Sequence, residues 1–258
     1  MTASFVELDG ARLETLRIEA RDAAAPPLVF LHEGLGSVAM WRDFPAQVAA
    51  STGAETIVYS RRGYGRSARL AGPRAVDYMQ TEAREVLPRL LARLGINEPL
   101  LIGHSDGASI ALIYAGASLP AAGLVLMAPH VFVEDVTVAS IAAAREAYRT
   151  TDLPQRLGRY HDDPDGAFRG WNDIWLDPAF RSWNIEACVP GVTAPMLLIQ
   201  GENDEYGTRA QVEAVKRLAM ARCELALLPN CGHSPQRDQP ARTLELITRF
   251  VTTVARKR

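Results

Sequence analysis

Gly103-His104-Ser105-Asp106-Gly107 sets a serine between two glycines, just after the apolar run Leu100-Leu101-Ile102 and just before an Ala- and Ile-rich stretch of helical spacing. A strand that feeds a helix through so tight a turn holds the serine in a strained conformation, and flanking glycines remove side chains that would collide there. The amides opening the helix can then meet a developing negative charge. Such a serine needs a base. His233, in the loop Pro229-Asn230-Cys231-Gly232-His233, is the expected one. It is the only histidine beyond Asp204, and an imidazole titrates near neutrality. Asp204, in the polar turn after the apolar run 196–199, is the expected acid, with Glu202 and Glu205 as competitors. Ligand sites gather at the carboxyl ends of parallel strands, which would bring Asp204 to the rim occupied by Ser105. The bland readings are a Gly-rich turn, a solvated acid and an exposed histidine. The three together favour acyl transfer.

The surrounding pattern supplies the elements that must position them. Alternating residues at 4–8 and 13–19, split by Asp9-Gly10, predict a hairpin, followed by a loop at 22–27. Apolar runs at 28–31, 56–59, 100–102, 124–127 and 196–199 predict buried strands, with a further strand at 224–228. Helical spacing covers 41–50, 81–94, 105–118, 211–219 and 241–254, with Pro88 expected to kink the second or shift its start. The expected fold is therefore α/β: an eight-stranded, mostly parallel sheet flanked by helices. Residues 130–190 lack strand signals but hold helical patches and Trp171, Trp175 and Trp183. We expect a helical cap there, inserted into a core made of residues 1–129 and 191–258.

Composition narrows the class. With 48% hydrophobic residues and 258 in all, a disordered or collagen-like chain is excluded. Lys plus Arg is 28 against 30 Asp plus Glu, so no nucleic-acid partner is expected. Three cysteines without CxxC suit a reducing compartment rather than a disulfide scaffold. No signal-peptide stretch and no apolar run near the roughly 20 residues of a transmembrane helix are visible. The expectation is a cytoplasmic monomer or homodimer, acting on a small molecule without membrane, metal or other cofactor. Histidines spread over the chain form no metal motif.

From LVFLHEGLGS through SRRGYGRS, GHSDG and QGENDEYG to NCGHSP, the chain resembles the α/β-hydrolase superfamily. The resemblance implies catalytic Ser105, Asp204 and His233 in that order, with Asp135 as second-choice acid. It also implies an oxyanion hole built from backbone N–H groups of an early loop and of the residue after the nucleophile. Here His32-Glu33-Gly34 carries Glu33 where the family has glycine, so Gly34 and Asp106 are the expected donors and Leu35 the second choice. Glu33 is expected to anchor this loop or to place a charge near the pocket. His32 should fix the loop, His104 should pack beneath the serine, and His161 should lie at the surface. The Arg61–Ser67 turn departs from the family at Ser60 and is expected to tie loops together, with phosphate binding as the alternative.

Specificity is expected from His130, Trp171, Trp175 and Trp183, with Phe168, Phe180 and Tyr148 either helping or forming the cap's own core. The resemblance suggests hydrolysis of a small ester or thioester. C–C bond hydrolysis uses the same residues. Asp106 resembles an acid that binds the amino group in α-amino-acid ester hydrolases, or else it only stabilises the turn. Gly34-Leu-Gly36-Ser-Val-Ala39 imitates a dinucleotide fingerprint, so an NADP-linked oxidoreductase is the competitor from another reaction class. A non-catalytic ligand-binding protein of the same fold is the remaining alternative.

Overall fold

The computed structural model describes residues 4–22 and 25–256; residues 1–3, and residues 23 and 24 of the expected loop, lie outside these. The elements are β1 (Ser4–Leu8), β2 (Ala11–Ile18), β3 (Leu28–Leu31), α1 (Phe44–Thr52), β4 (Thr56–Tyr59), α2 (Tyr78–Thr81), α3 (Leu87–Leu94), β5 (Leu100–His104) and α4 (Asp106–Gly116). They continue as β6 (Gly123–Met127), α5 (Asp135–Thr150), α6 (Leu153–Leu157), α7 (Pro164–Trp175), β7 (Met196–Gly201), α8 (Ala210–Leu218), β8 (Cys223–Leu228), α9 (Pro235–Asp238) and α10 (Pro240–Ala255).

The strands form one sheet in the order β1-β2-β4-β3-β5-β6-β7-β8. β1 and β2 are antiparallel, joined through Asp9 and Gly10 at φ 52° and 73°, the left-handed pair a tight hairpin requires. β2 runs antiparallel to β4, and every later pairing is parallel. The dinucleotide alternative is not met: its glycines open the helix that follows the strand, whereas here Gly34–Ala39 runs into the 3₁₀ turn Ala39–Trp41 and α1 begins only at Phe44.

Strand residues alternate between two cores because successive side chains point to opposite faces. In β5, Leu100 and Ile102 pack with Val48 of α1 and Phe250 of α10. Leu101 joins Leu90 of α3 and Ile113 of α4 on the other face. Burial on both sides explains the uninterrupted apolar runs. Pro88 occupies the second position of α3, and the turn before it, Glu82–Val86, widens into a π-helix. Proline has no N–H for the carbonyl four residues upstream, and the wider turn absorbs that loss.

Between β6 and β7 the chain runs through α5–α7 and the 3₁₀ turns Pro178–Ser182 and Glu186–Gly191. The one β contact found there among the described residues is the isolated bridge Phe132–Asn184. No helix among the described residues is long and apolar enough to cross a membrane.

Candidate active site

Ser105 sits between β5 and α4 with φ 52° and ψ −119°. That conformation costs a non-glycine residue roughly 1–3 kcal/mol and lifts the hydroxyl above the carboxyl end of the sheet. The flanking glycines are required by contact. A Cβ on Gly103 would lie 2.4 Å from the Gly107 carbonyl oxygen, and one on Gly107 would lie 2.0 Å from that of Leu31.

His233 enters from the loop after β8, its Nε2 2.9 Å from Ser105 Oγ. Its Nδ1 lies 2.8 and 2.9 Å from the two Asp204 carboxylate oxygens. A proton on Nδ1 leaves Nε2 free to accept from the serine. Asp204 lies past the end of β7, where the Tyr206 and Gly207 amides donate to Oδ1 at 2.8 and 3.1 Å and Gln200 Nε2 donates to Oδ2 at 2.7 Å. Burial opposes its charge, but the hydrogen bond and charge of His233 and the Tyr206 amide outweigh that and hold the carboxyl below its ordinary range.

Of the competing acids, Glu202 is exposed and only Asp204 reaches the His233 ring. Glu205 accepts from the His233 backbone amide at 3.1 Å. Asp135 opens α5, is 93% exposed and pairs with Arg181.

Beneath the serine, His104 is buried and its Nε2 donates to the His233 carbonyl oxygen at 2.7 Å. Its Nδ1 is 3.5 Å from the Glu33 carboxylate. Burial lowers the His104 pKa, but Glu33 overcomes it and the net shift is upward. Burial likewise opposes the Glu33 charge, yet the His104 contact brings its pKa down to about 2. Glu33 thus anchors the loop and also lines the cavity. His32 stays neutral: burial and then Arg61 depress its pKa, Nδ1 donates to the Glu33 carbonyl oxygen at 2.7 Å, and Nε2 accepts from the Arg61 amide at 3.0 Å. Arg61 closes the same loop through the His32 and Glu33 carbonyl oxygens.

These loops border a cavity of about 520 Å³ that reaches Ser105 and His233. Gly34 and Asp106 line it. Gly34 lies directly under the Trp171 indole, where a Cβ would come within 2.1 Å. The Asp106 carboxylate turns inward. It accepts from Tyr78 Oη at 2.7 Å and Trp175 Nε1 at 3.3 Å and lies 3.7 Å from Arg61 Nη2. At 1% exposure, with three donors already around it, the carboxylate is tied to the support of the turn.

Trp171, Trp175 and His130 line the cavity. Burial, and then the charge of His233, push the His130 pKa down to about 3, so a neutral imidazole faces the site. Trp183 does not line it. Its ring stacks on Phe180 at 5.3 Å and packs against Trp175 at 6.1 Å, while Phe168 stacks on Tyr148 at 3.8 Å. Those four rings pack into the hydrophobic core on the helical segment's side of the sheet, where Phe180 also meets Tyr78 of α2.

His161 also departs from expectation: at 4% exposure it accepts from the Gly65 amide at 2.9 Å and bonds the Leu35 carbonyl oxygen at 2.9 Å. The run His161-Asp162-Asp163-Pro164 looks like surface because its acids are charged. One inward ring nonetheless stitches the helical segment to two loops of the sheet. Tyr78 and Gln200 escaped sequence reasoning as well, since neither belongs to a motif. A polar residue closing an otherwise apolar strand, as Gln200 does, was the available signal.

Comparison with known proteins agrees with this architecture. A family model described as "Alpha/beta hydrolase family" matches residues 28–246. An sn-1-specific diacylglycerol lipase of Mus musculus is 21% identical, over 89% of this chain and 82% of its own length. A proline iminopeptidase of Lactobacillus delbrueckii subsp. lactis is 25% identical, over 89% and 90%. Among solved structures, proline iminopeptidase of Mycobacterium smegmatis superposes with a TM-score of 0.77 at 18% identity, covering 98% of this chain and 99% of that one. The enol-lactonase of Burkholderia xenovorans gives 0.74 at 19% identity, covering 96% and 100%.

Proposed function

The chain belongs to the alpha/beta hydrolase family, and on that premise we propose that it is a serine hydrolase cleaving a small carboxylic ester or thioester through Ser105, His233 and Asp204. One observation carries the reading: an unbroken line of hydrogen bonds from Ser105 Oγ through both His233 nitrogens to Asp204, at the floor of a cavity.

His233 Nε2 takes the hydroxyl proton as Oγ attacks the substrate carbonyl carbon, and Asp204 stabilises the imidazolium. The Gly34 and Asp106 amides receive the oxyanion, each such donor being worth roughly 10²–10³ in rate. The carbon–oxygen or carbon–sulfur bond then breaks, and His233 protonates the departing alcohol or thiol. Water, deprotonated by His233, releases the acid from the acyl-serine and restores the hydroxyl.

Residues 1–129 and 191–258 act as the catalytic core and residues 130–190 as the cap. Trp171, Trp175 and His130 contact the substrate from the cap side and Glu33 from the loop side, while Trp183 supports Trp175 from behind. The inward-turned Asp106 carboxylate argues against its binding a substrate amine. One relative is named a lipase and others iminopeptidases, so family kinship leaves the leaving group open. The size and mixed apolar–polar lining of the cavity favour a small ester or thioester. Three free cysteines support a reducing, cytoplasmic setting.

Steady-state hydrolysis of short p-nitrophenyl esters and acyl thioesters tests the reading. We expect turnover by the wild type and none above background for Ser105→Ala. Folded protein that binds these compounds and never turns them over would favour a ligand-binding role instead.

A further inference from the structure

The cavity above Ser105 is lined by two chemically different sets of side chains. Leu157, Ile141, Trp171 and Trp175 are buried and apolar. Four arginines, Arg42, Arg156, Arg159 and Arg237, are exposed. Among the described residues only Arg156 has an ion-pair partner, Asp152 at 3.2 Å. The carboxylates lining the same cavity are committed: Glu33 to His104, Asp106 to Tyr78 and Trp175, Glu205 to the His233 amide. A second cavity of about 440 Å³ lies alongside, shares Arg42, Arg159 and Tyr160 with the first, and adds Arg66. Its Glu14 accepts from Ser60 Oγ and the Arg66 amide, and Asp162 lines it as well. In a chain of net charge −2, five arginines thus border the surroundings of a reactive serine, four of them without an ion-pair partner among the described residues.

We propose that the substrate is an ester or thioester whose leaving group carries phosphate, held by Arg42, Arg159 and Arg237 and, further along, by Arg66. This deepens the serine hydrolase reading and rests on it. The assignment follows from the reaction order. The acyl group stays on Ser105 while the leaving group departs, so the acyl group takes the buried apolar residues and the leaving group the exposed basic ones. When the bond to the carbonyl carbon breaks, the thiol or alcohol leaves with the proton from His233. Its phosphates lie several bonds from the scissile carbonyl, because the arginines are exposed whereas Ser105 is buried at 6% exposure. Guanidinium suits this role, since its fork pairs with two phosphate oxygens at once.

The test needs no knowledge of the acyl group. Labelling of Ser105 by a fluorophosphonate is timed in the presence of coenzyme A, of its uncharged fragment N-acetylcysteamine, of adenosine 3′,5′-bisphosphate, and of inorganic phosphate. We expect coenzyme A to halve the labelling rate at a concentration about tenfold or more below that of N-acetylcysteamine, the order that several exposed charge pairs supply. The difference should vanish in R159Q/R237Q and shrink in roughly 0.5 M salt. The variant's own labelling rate without ligand, and its melting temperature, report whether it is folded. Protection by adenosine 3′,5′-bisphosphate would locate recognition in the phosphates. Equal protection by coenzyme A and N-acetylcysteamine, or by coenzyme A and inorganic phosphate, overturns the proposal while leaving the hydrolase reading intact. Native protein whose Ser105 does not label overturns both.

Discussion

At the scale of residues, two histidine–carboxylate pairs divide the work. Asp204–His233 faces Ser105, and Glu33–His104 holds the His233 carbonyl oxygen from below. Asp204→Asn should leave KM nearly unchanged and lower kcat by about 10³–10⁴, because the amide favours the wrong imidazole tautomer; steady-state kinetics on a p-nitrophenyl ester reads this. The second pair predicts a pH window for stability. Glu33 has its pKa lowered from 4.5 to about 2, so its contribution is complete above 4.5 and fades as pH falls toward 2. His104 is shifted upward from 6.5, so its contribution is complete below 6.5 and is lost as pH rises through the raised value. A double-mutant cycle of Glu33→Gln and His104→Gln, followed by urea unfolding, should therefore give its largest coupling between pH 4.5 and 6.5. Coupling that grows from there toward pH 9 would contradict the assignment. The serine's backbone gives a third expectation. With φ at 52°, Ser105→Gly should be more stable than Ser105→Ala by about 1 kcal/mol, both being inactive.

At the scale of elements, the nucleophile turn was legible because its demands are local. A strand, two glycines and a helix lie within a few residues, and each glycine answers a named backbone contact. Gly107→Ala should cost about 1–3 kcal/mol, and more if the Leu31 carbonyl cannot retreat, as read by urea unfolding. A cost below 0.5 kcal/mol would mean that β3 and α4 approach less closely than described. The loop after β3, which we propose contributes to the oxyanion hole, was only partly legible. Its glycine shift was visible in His32-Glu33-Gly34, but the reason was not: Trp171, far along the chain, covers Gly34. His161 and Tyr78 were misread or missed for the same cause. A buried residue in a loop or at the start of a four-residue helix, with a partner many residues away, leaves no periodic trace. Helix boundaries moved where Pro88 substitutes a widened turn for a kink.

At the scale of the whole molecule, one sheet carries Ser105, Asp204 and His233 to a common edge, on loops after β5, β7 and β8. Fully apolar runs alternating with helical stretches after a polar hairpin imply a mostly parallel sheet buried on both faces. The fold class could therefore be anticipated and the strand order could not. The lining of the cavity could not, because it depends on how α5–α7 fold back over the sheet. Trp175 ties that segment to the nucleophile turn through Asp106. The two should unfold together: in Trp41→Phe, whose remaining tryptophans all lie in the helical segment, melting by fluorescence and by far-UV circular dichroism should coincide. An earlier fluorescence transition would mean an independently folding cap. The central claim, an activated nucleophile at Ser105, is tested most directly by mass spectrometry of the acyl-enzyme. Rapid quenching during turnover of a p-nitrophenyl ester should reveal one acyl adduct, mapped to Ser105 and absent from Ser105→Ala. Turnover without an adduct under conditions that produce a nitrophenolate burst, or an adduct on another residue, would contradict it.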